Sequence, residues 1–142
     1  MVVTCKTKNN DVEILSRFIR AEAIVDNTHA NGIVVPFNKK KGKMCREGSQ
    51  LLDNDGGIFY KHPDTEVIFD DCQIPYYTQV KKIVTKASSL FKLPLLRWDI
   101  AITPNGPIIV GVNAGFHLLL SDRMGKELKR SPSIRSLLEQ IH

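Results

Sequence analysis

The chain has few cysteines and no way to use them as a framework. Cys5, Cys45 and Cys72 are odd in number, far apart, and form no C-x-x-C pair. That spacing argues against a disulfide scaffold and a zinc site, and it fits a reducing cytoplasm. No apolar run approaches the ~20 residues a membrane span requires, so no membrane partner is expected. The N-terminal M-V-V-T-C-K-T-K lacks a charged start followed by an apolar stretch, so no secretory signal is read there. Internal repeats, low-complexity segments and linkers are also absent. The cluster Asp53, Asn54, Asp55, Gly56, Gly57 resembles a calcium loop only superficially. Its twelfth position is Asp64 where a bidentate glutamate would be required.

What remains is an ordinary globular composition. The 142 residues are 42% apolar and 25% charged, enough for one domain over 1–142 with a real core. The net charge of +5 permits phosphate-bearing ligands without demanding them. Lys39, Lys40, Lys41 and Lys43 form a basic tip, read as a solvated hairpin turn. No aromatic residues interleave with them, which weakens the alternative of a basic nucleic-acid-binding module.

Residues 2–8 and 12–20 read as two strands around the turn cluster Lys8, Asn9, Asn10, Asp11. I-V-V-P-F at 33–37 reads as a short strand, 47–66 as irregular, and Val67, Ile68, Phe69 as a further short strand. His62 reads as a surface or hydrogen-bonding histidine. A helix begins near Ile74 and Pro75. Its apolar stripe is Val80, Ile83, Val84, Ala87, Leu90 and Phe91, and Pro94 ends it. Residues 116–124 suggest a short helix. Ser131 and Pro132 then supply a capping serine and a first-turn proline for a terminal helix, with Ile134, Leu137, Leu138 and Ile141 on one face. Hairpins first and helices after argue α+β, an antiparallel β-sheet of hairpins with helices packed on one face.

The most informative stretch is 97–113, R-W-D-I-A-I-T-P-N-G-P-I-I-V-G-V-N. Asn105-Gly106 between alternating apolar runs is a strong hairpin signal. A loop of about three residues pairs Thr103 with Pro107, Ile100 with Val110 and Asp99 with Gly111. It places Trp98, Ile100, Ile102, Ile108, Val110 and Val112 on one apolar face, and register follows the buried pattern. Asp99, Gly111 and Asn113 then meet at the open end of the other face. Arg17 and Arg20 lie on an earlier strand, and Asp26, Asn27, Asn31 and Gly32 form a polar loop. Carboxylate and amide oxygens suit magnesium, which usually rests on one or two carboxylates plus substrate phosphates. Arginines bind those phosphates bidentately. The pattern suggests a metal–nucleotide site.

The residues S-R-F-I-R-A at 16–21, V-D-N-T-H-A-N-G-I at 25–33, K-H-P-D-T at 61–65 and W-D-I-A-I-T-P-N-G-P-I-I-V-G-V-N at 98–113 carry a resemblance. The chain resembles the C-terminal part of an ATP-grasp domain, closest to the sugar-transfer-associated or alpha-L-glutamate-ligase-related branch. The resemblance implies a carboxylate–amine ligase using ATP and Mg2+. Such an enzyme phosphorylates a carboxylate to an acyl phosphate that an amine attacks. It also implies roles: Asp99 and Asn113 as metal ligands, Arg20 holding the transferred phosphate, and Arg17, Asn27, Asn31 and Gly32 at the nucleotide. The partners implied are a nucleotide and a carboxylate substrate. A partner chain or homodimer would supply what the family's N-terminal lobe supplies.

The chain departs from the family at Gly111, where a glutamate is expected, and at the glycine pair replaced by Asn31-Gly32. The alternatives are therefore a ligase lobe working with another chain, or a non-catalytic, degenerate remnant that binds or scaffolds.

Overall fold

A computed structural model describes residues 1–7, 9–21, 32–38, 40–50, 57–114 and 131–139, with side-chain detail ending at 15 in the second strand and 137 in the last helix. The chain groups into two compact units: residues 1–17 with 75–142, and residues 18–74. Asp26, Asn27, Asn31, Lys39, residues 53–56 of the polar cluster and the helix expected at 116–124 lie outside the described residues.

In the first unit, β1 (Val2–Lys6) pairs antiparallel with the start of β2 (Val12–Ala21) and with β6 (Leu95–Thr103). β6 pairs antiparallel with β7 (Gly106–Asn113), which ends the sheet of this unit. The β1–β2 turn forms at the expected cluster. Thr7 N–H donates to Asp11 O, and Asn10 takes a left-handed conformation with φ 66°. Asparagine tolerates that region better than most residues.

Two helices pack on this sheet. α1 (Tyr77–Ser89) lays Val80 and Val84 on Val2, Leu96 and Trp98. α2 (Pro132–Leu138) lays Ile134 on Val3, Cys5 and Leu15. Val2 and Val3 are successive residues of one strand, and successive side chains point to opposite faces. The α+β class and the antiparallel hairpins are as expected. In detail, however, the helices divide between the two faces where one face was expected. The reason is in the first strand: Val2, Val3, Thr4 and Cys5 are all buried, the continuous pattern of a strand covered on both sides. A bulge at Leu15 (Val3 pairs with Ser16, and Thr4 with Ile14) turns that leucine into the α2-side core.

The stripe predicted for α1 holds at Val80 and Val84, with Ile83 and Ala87 beside them. Leu90 is 78% exposed. The helix stops at Ser89, so the 3.6-residue period no longer carries Leu90 to the sheet. Phe91 meets Trp98 edge-on, with ring centroids 5.6 Å apart, a favourable aromatic geometry. Ser131 precedes α2 as expected, but its side chain makes no capping hydrogen bond. Proline at the first turn carries the start signal alone.

In the second unit the end of β2 pairs with β3 (Ile33–Pro36), β3 with β4 (Gly48–Gln50), and β4 with β5 (Ile58–Phe59), all antiparallel. Ile33, Val35 and Phe69 form its core. The basic tip is a turn closed by its own groups. The Asn38 Oδ1 accepts from the Lys40 and Lys41 N–H groups at 2.8 and 3.3 Å, while Lys40, Lys41 and Lys43 are exposed. The strand expected at 67–69 is a single bridge at Ile68 followed by a 3-10 turn, Phe69–Asp71. That turn drives Phe69 into the core. His62 accepts from the Asp64 and Thr65 N–H groups through Nδ1, the hydrogen-bonding role read for it. Two short strands, β4 and β5, lie within the stretch read as irregular. They are too brief for an alternating pattern to mark.

Candidate functional site in the β6–β7 hairpin

The hairpin closes with Thr103 opposite Gly106, so Pro104 and Asn105 make a two-residue loop. The three-residue loop expected from the sequence is corrected here. Gly106 adopts φ +115°, a conformation side chains rarely take. A Cβ on it would meet Gln79 Oε1 at 3.1 Å. The Thr103 hydroxyl locks the turn, donating to Gly106 O at 2.8 Å and accepting from Asn105 N–H at 3.2 Å. Tyr76 adds a hydrogen bond from its hydroxyl to Pro104 O at 2.8 Å.

From a two-residue loop, uninterrupted pairing would set Asp99 against Val110 and Arg97 against Val112. A bulge prevents it. Ile100 pairs with Ile109, but Asp99 pairs with Gly111, leaving Val110 as the extra residue. Beyond the bulge the register is the expected one: Asp99 faces Gly111, Trp98 faces Val112 and Arg97 faces Asn113. Bulges commonly re-aim side chains beside functional sites. Near the tip the faces differ from expectation. Paired residues share a face, so Ile109 joins Ile100 while Ile108 joins Ala101. Val110 is left 63% exposed.

This register assembles three polar side chains. Asn113 Nδ2 donates to Asp99 Oδ2 at 3.1 Å, a diagonal cross-strand contact. Arg97 Nη2 lies 3.5 Å from the same oxygen. The Arg97 and Asp99 side chains are 26% and 32% exposed, so the cluster is accessible without being fully solvated. Arg97 Nε is buried and has no partner among the described residues. Asp99 and Asn113 were the predicted pair, and the structure brings them together. Arg97 was missed. Its signal was present, since residues two apart on a strand share a face, which puts Arg97 beside Asp99.

The other predicted residues are elsewhere or outside view. Arg17 pairs with Val2 in the first unit, and Arg20 pairs with Val34 in the second; their side chains lie outside the described residues. Gly32 is buried just before β3. Asn27 and Asn31 lie outside the described residues.

Among the described residues no three His, Cys, Asp or Glu side chains cluster. The hairpin offers one carboxylate, already met by the Arg97 guanidinium and the Asn113 amide. At Gly111, opposite Asp99, there is no second carboxylate. Magnesium needs near-octahedral oxygen coordination and favours one or two unencumbered carboxylates. A guanidinium 3.5 Å from the one available opposes a divalent cation. These residues do not fit a resident magnesium ion.

No helix among the described residues is long and apolar enough to cross a membrane. Comparison with characterised proteins and with solved structures gives no match. Comparison with protein-family models matches residues 1–141 to the sugar-transfer-associated ATP-grasp family. The hairpin with its aspartate and asparagine lies within that match, and the chain belongs to the sugar-transfer-associated ATP-grasp family.

Proposed function

We propose that this chain is a nucleotide-binding ATP-grasp lobe that does not by itself complete carboxylate–amine ligation. The family fold supports nucleotide binding, with Arg17, Arg20, Asn27, Asn31 and Gly32 as the residues toward the phosphates. The observation that carries the rest is Gly111 opposite Asp99. The ligation chemistry forms an acyl phosphate from ATP and a carboxylate, and an amine then displaces the phosphate. Phosphoryl transfer of this kind depends on concentrated positive charge around the moving phosphate. A hairpin whose lone carboxylate is engaged by Arg97 gives weak support to the metal part of that charge. Partners under this reading are a nucleotide and either a second chain or a second copy. Cys5 and Cys72 as thiols support a reducing, cytoplasmic setting.

The test is calorimetric titration with ATP, run beside a phosphate-release assay with a panel of carboxylates and amines. Binding without carboxylate-dependent phosphate release is expected. Sustained release that requires both carboxylate and amine would overturn the non-catalytic half of the proposal, and absence of ATP binding would overturn the nucleotide half.

A second reading, an ATP- and magnesium-dependent ligase lobe working with another chain, is favoured by one observation. Asp99 stands opposite position 111 and Asn113 two residues beyond it, their side chains 3.1 Å apart. Under it, phosphate release appears when the partner chain is added.

A further inference from the structure

We infer that Arg97 stands in for a metal cation, so that the β6–β7 hairpin takes a phosphate group directly, with no divalent ion. The inference rests on the nucleotide-binding reading only for which phosphate is bound.

The first ground is charge. Asp99 and Arg97 together carry no net charge, with Nη2 3.5 Å from Oδ2. A divalent cation approaching Asp99 meets a fixed guanidinium, whereas an incoming phosphate meets an attractive one. A guanidinium also matches a phosphate geometrically. It presents five N–H donors in a rigid fork and binds such anions bidentately.

The second ground is how Arg97 is held. Asp99 Oδ2 takes both the Asn113 amide and the Arg97 guanidinium. The carboxylate is thereby fixed from across the hairpin and in turn orients the arginine, as pairs of this kind do in preorganised anion sites. Arg97 Nε is buried without a partner among the described residues. That nitrogen is shut off from solvent, so the donors an incoming anion would meet are those of the exposed quarter of the side chain.

The third ground is space. Gly111 adds no side chain on the face it shares with Asp99, and even a Cβ there would lie only 3.5 Å from Asp99 Oδ2. The side chain that would compete for Arg97 as a second carboxylate is absent. What would repel a phosphate is thus reduced to one carboxylate that already has two partners.

The experiment titrates the full chain with ATP and, separately, with inorganic tripolyphosphate. Each is run in excess EDTA and again in magnesium, for wild type, Arg97→Gln and Arg97→Lys, with circular dichroism confirming that each variant is folded. ATP affinity is expected to be the same in EDTA as in magnesium. Arg97→Gln should weaken binding in EDTA by about tenfold or more, the scale of a charge-assisted hydrogen-bonded contact. Arg97→Lys, which keeps the charge but loses the fork, should fall between. ATP binding that appears only with magnesium, or that ignores Arg97→Gln, overturns the inference and leaves the nucleotide reading standing. Arg97-dependent binding of tripolyphosphate in EDTA without ATP binding supports the inference and removes the nucleotide reading. Absence of binding by either probe overturns both.

Discussion

Gly111 stands directly opposite Asp99 across the β6–β7 hairpin, and a Cβ at position 111 would lie 3.5 Å from Asp99 Oδ2 and 3.7 Å from Asp99 Cβ. Those are ordinary contact distances, so a side chain fits there without moving the hairpin. Gly111→Glu would set a second carboxylate beside the first and turn a charge-neutral pair into a net acidic site. Divalent-ion affinity, followed by electron paramagnetic resonance of Mn2+, should rise by about tenfold or more, since one added hard ligand contributes on that scale. Adding Asp99→Asn to Gly111→Glu should abolish the gain. Unchanged Mn2+ affinity in Gly111→Glu would mean that geometry, and not the missing carboxylate, prevents metal binding.

A buried polar chain ties β1, β6 and α1 together. Trp98 Nε1 donates to Thr4 Oγ1 at 2.8 Å, and Thr4 Oγ1 shares a 2.8 Å hydrogen bond with Ser88 Oγ. All three residues are 1% exposed. Thr4→Val keeps the shape and removes the central partner, orphaning an indole N–H and a hydroxyl. The expected cost is about 2–3 kcal/mol by urea denaturation, because each buried group left unsatisfied costs about 1–3 kcal/mol. Ser88→Ala in the Thr4→Val background should recover part of it. A Thr4→Val protein as stable as wild type would show that the chain contributes nothing.

Much of this was legible in the sequence, and the failures have identifiable causes. Val80 and Val84 lie where the 3.6-residue period puts them, and the turn at Asn10 lies where its composition puts it. The facing pair Asp99 and Gly111 was obtained through the wrong loop. Pairing from a two-residue loop is off by one, and the bulge at Val110 restores it. A bulge inside I-I-V leaves no compositional trace, because each candidate for the extra residue is apolar and β-branched. The division of the helices between two faces was readable from Val2, Val3, Thr4 and Cys5, whose lack of alternation is the mark of a doubly covered strand. Arg97 was passed over because a metal site directs attention to oxygen ligands, and the residue that decides the electrostatics is a cation.

Gly48 is a packing glycine. A Cβ on it would come within 2.9 Å of the Ile33 and Val35 Cγ2 methyls and 3.1 Å of the Phe69 ring. Those three residues are the core of the second unit, and β-branched side chains on a paired strand have little freedom to yield. Gly48→Ala should destabilise this unit by about 1–3 kcal/mol, the usual cost of overpacking. Hydrogen exchange should quicken at β3 and β4 and stay unchanged at β6 and β7. Uniform quickening across the chain would show that the strain does not stay with this core.

Cys5 makes the fold sensitive to alkali. Burial, with a smaller contribution from Glu13, pushes its thiol above its ordinary value. The neutral thiol is thus the form the folded state prefers. Its contribution is fully present below the unfolded thiol value of about 8.5. It is lost as pH rises from there through the higher folded value, because the unfolded chain releases its proton first. Urea midpoints measured between about pH 8 and 10 should fall more steeply for wild type than for Cys5→Ala, although the alanine variant is less stable at neutral pH because it leaves a cavity among Val3, Leu15 and Ile134. Every other group is common to the two proteins and cancels in the comparison. Thiol alkylation under native conditions supplies an independent reading: exposed Cys45 should react first and Cys5 last, the thiolate being the reactive form. Parallel pH slopes for the two proteins would exclude Cys5 as the source of the alkaline loss.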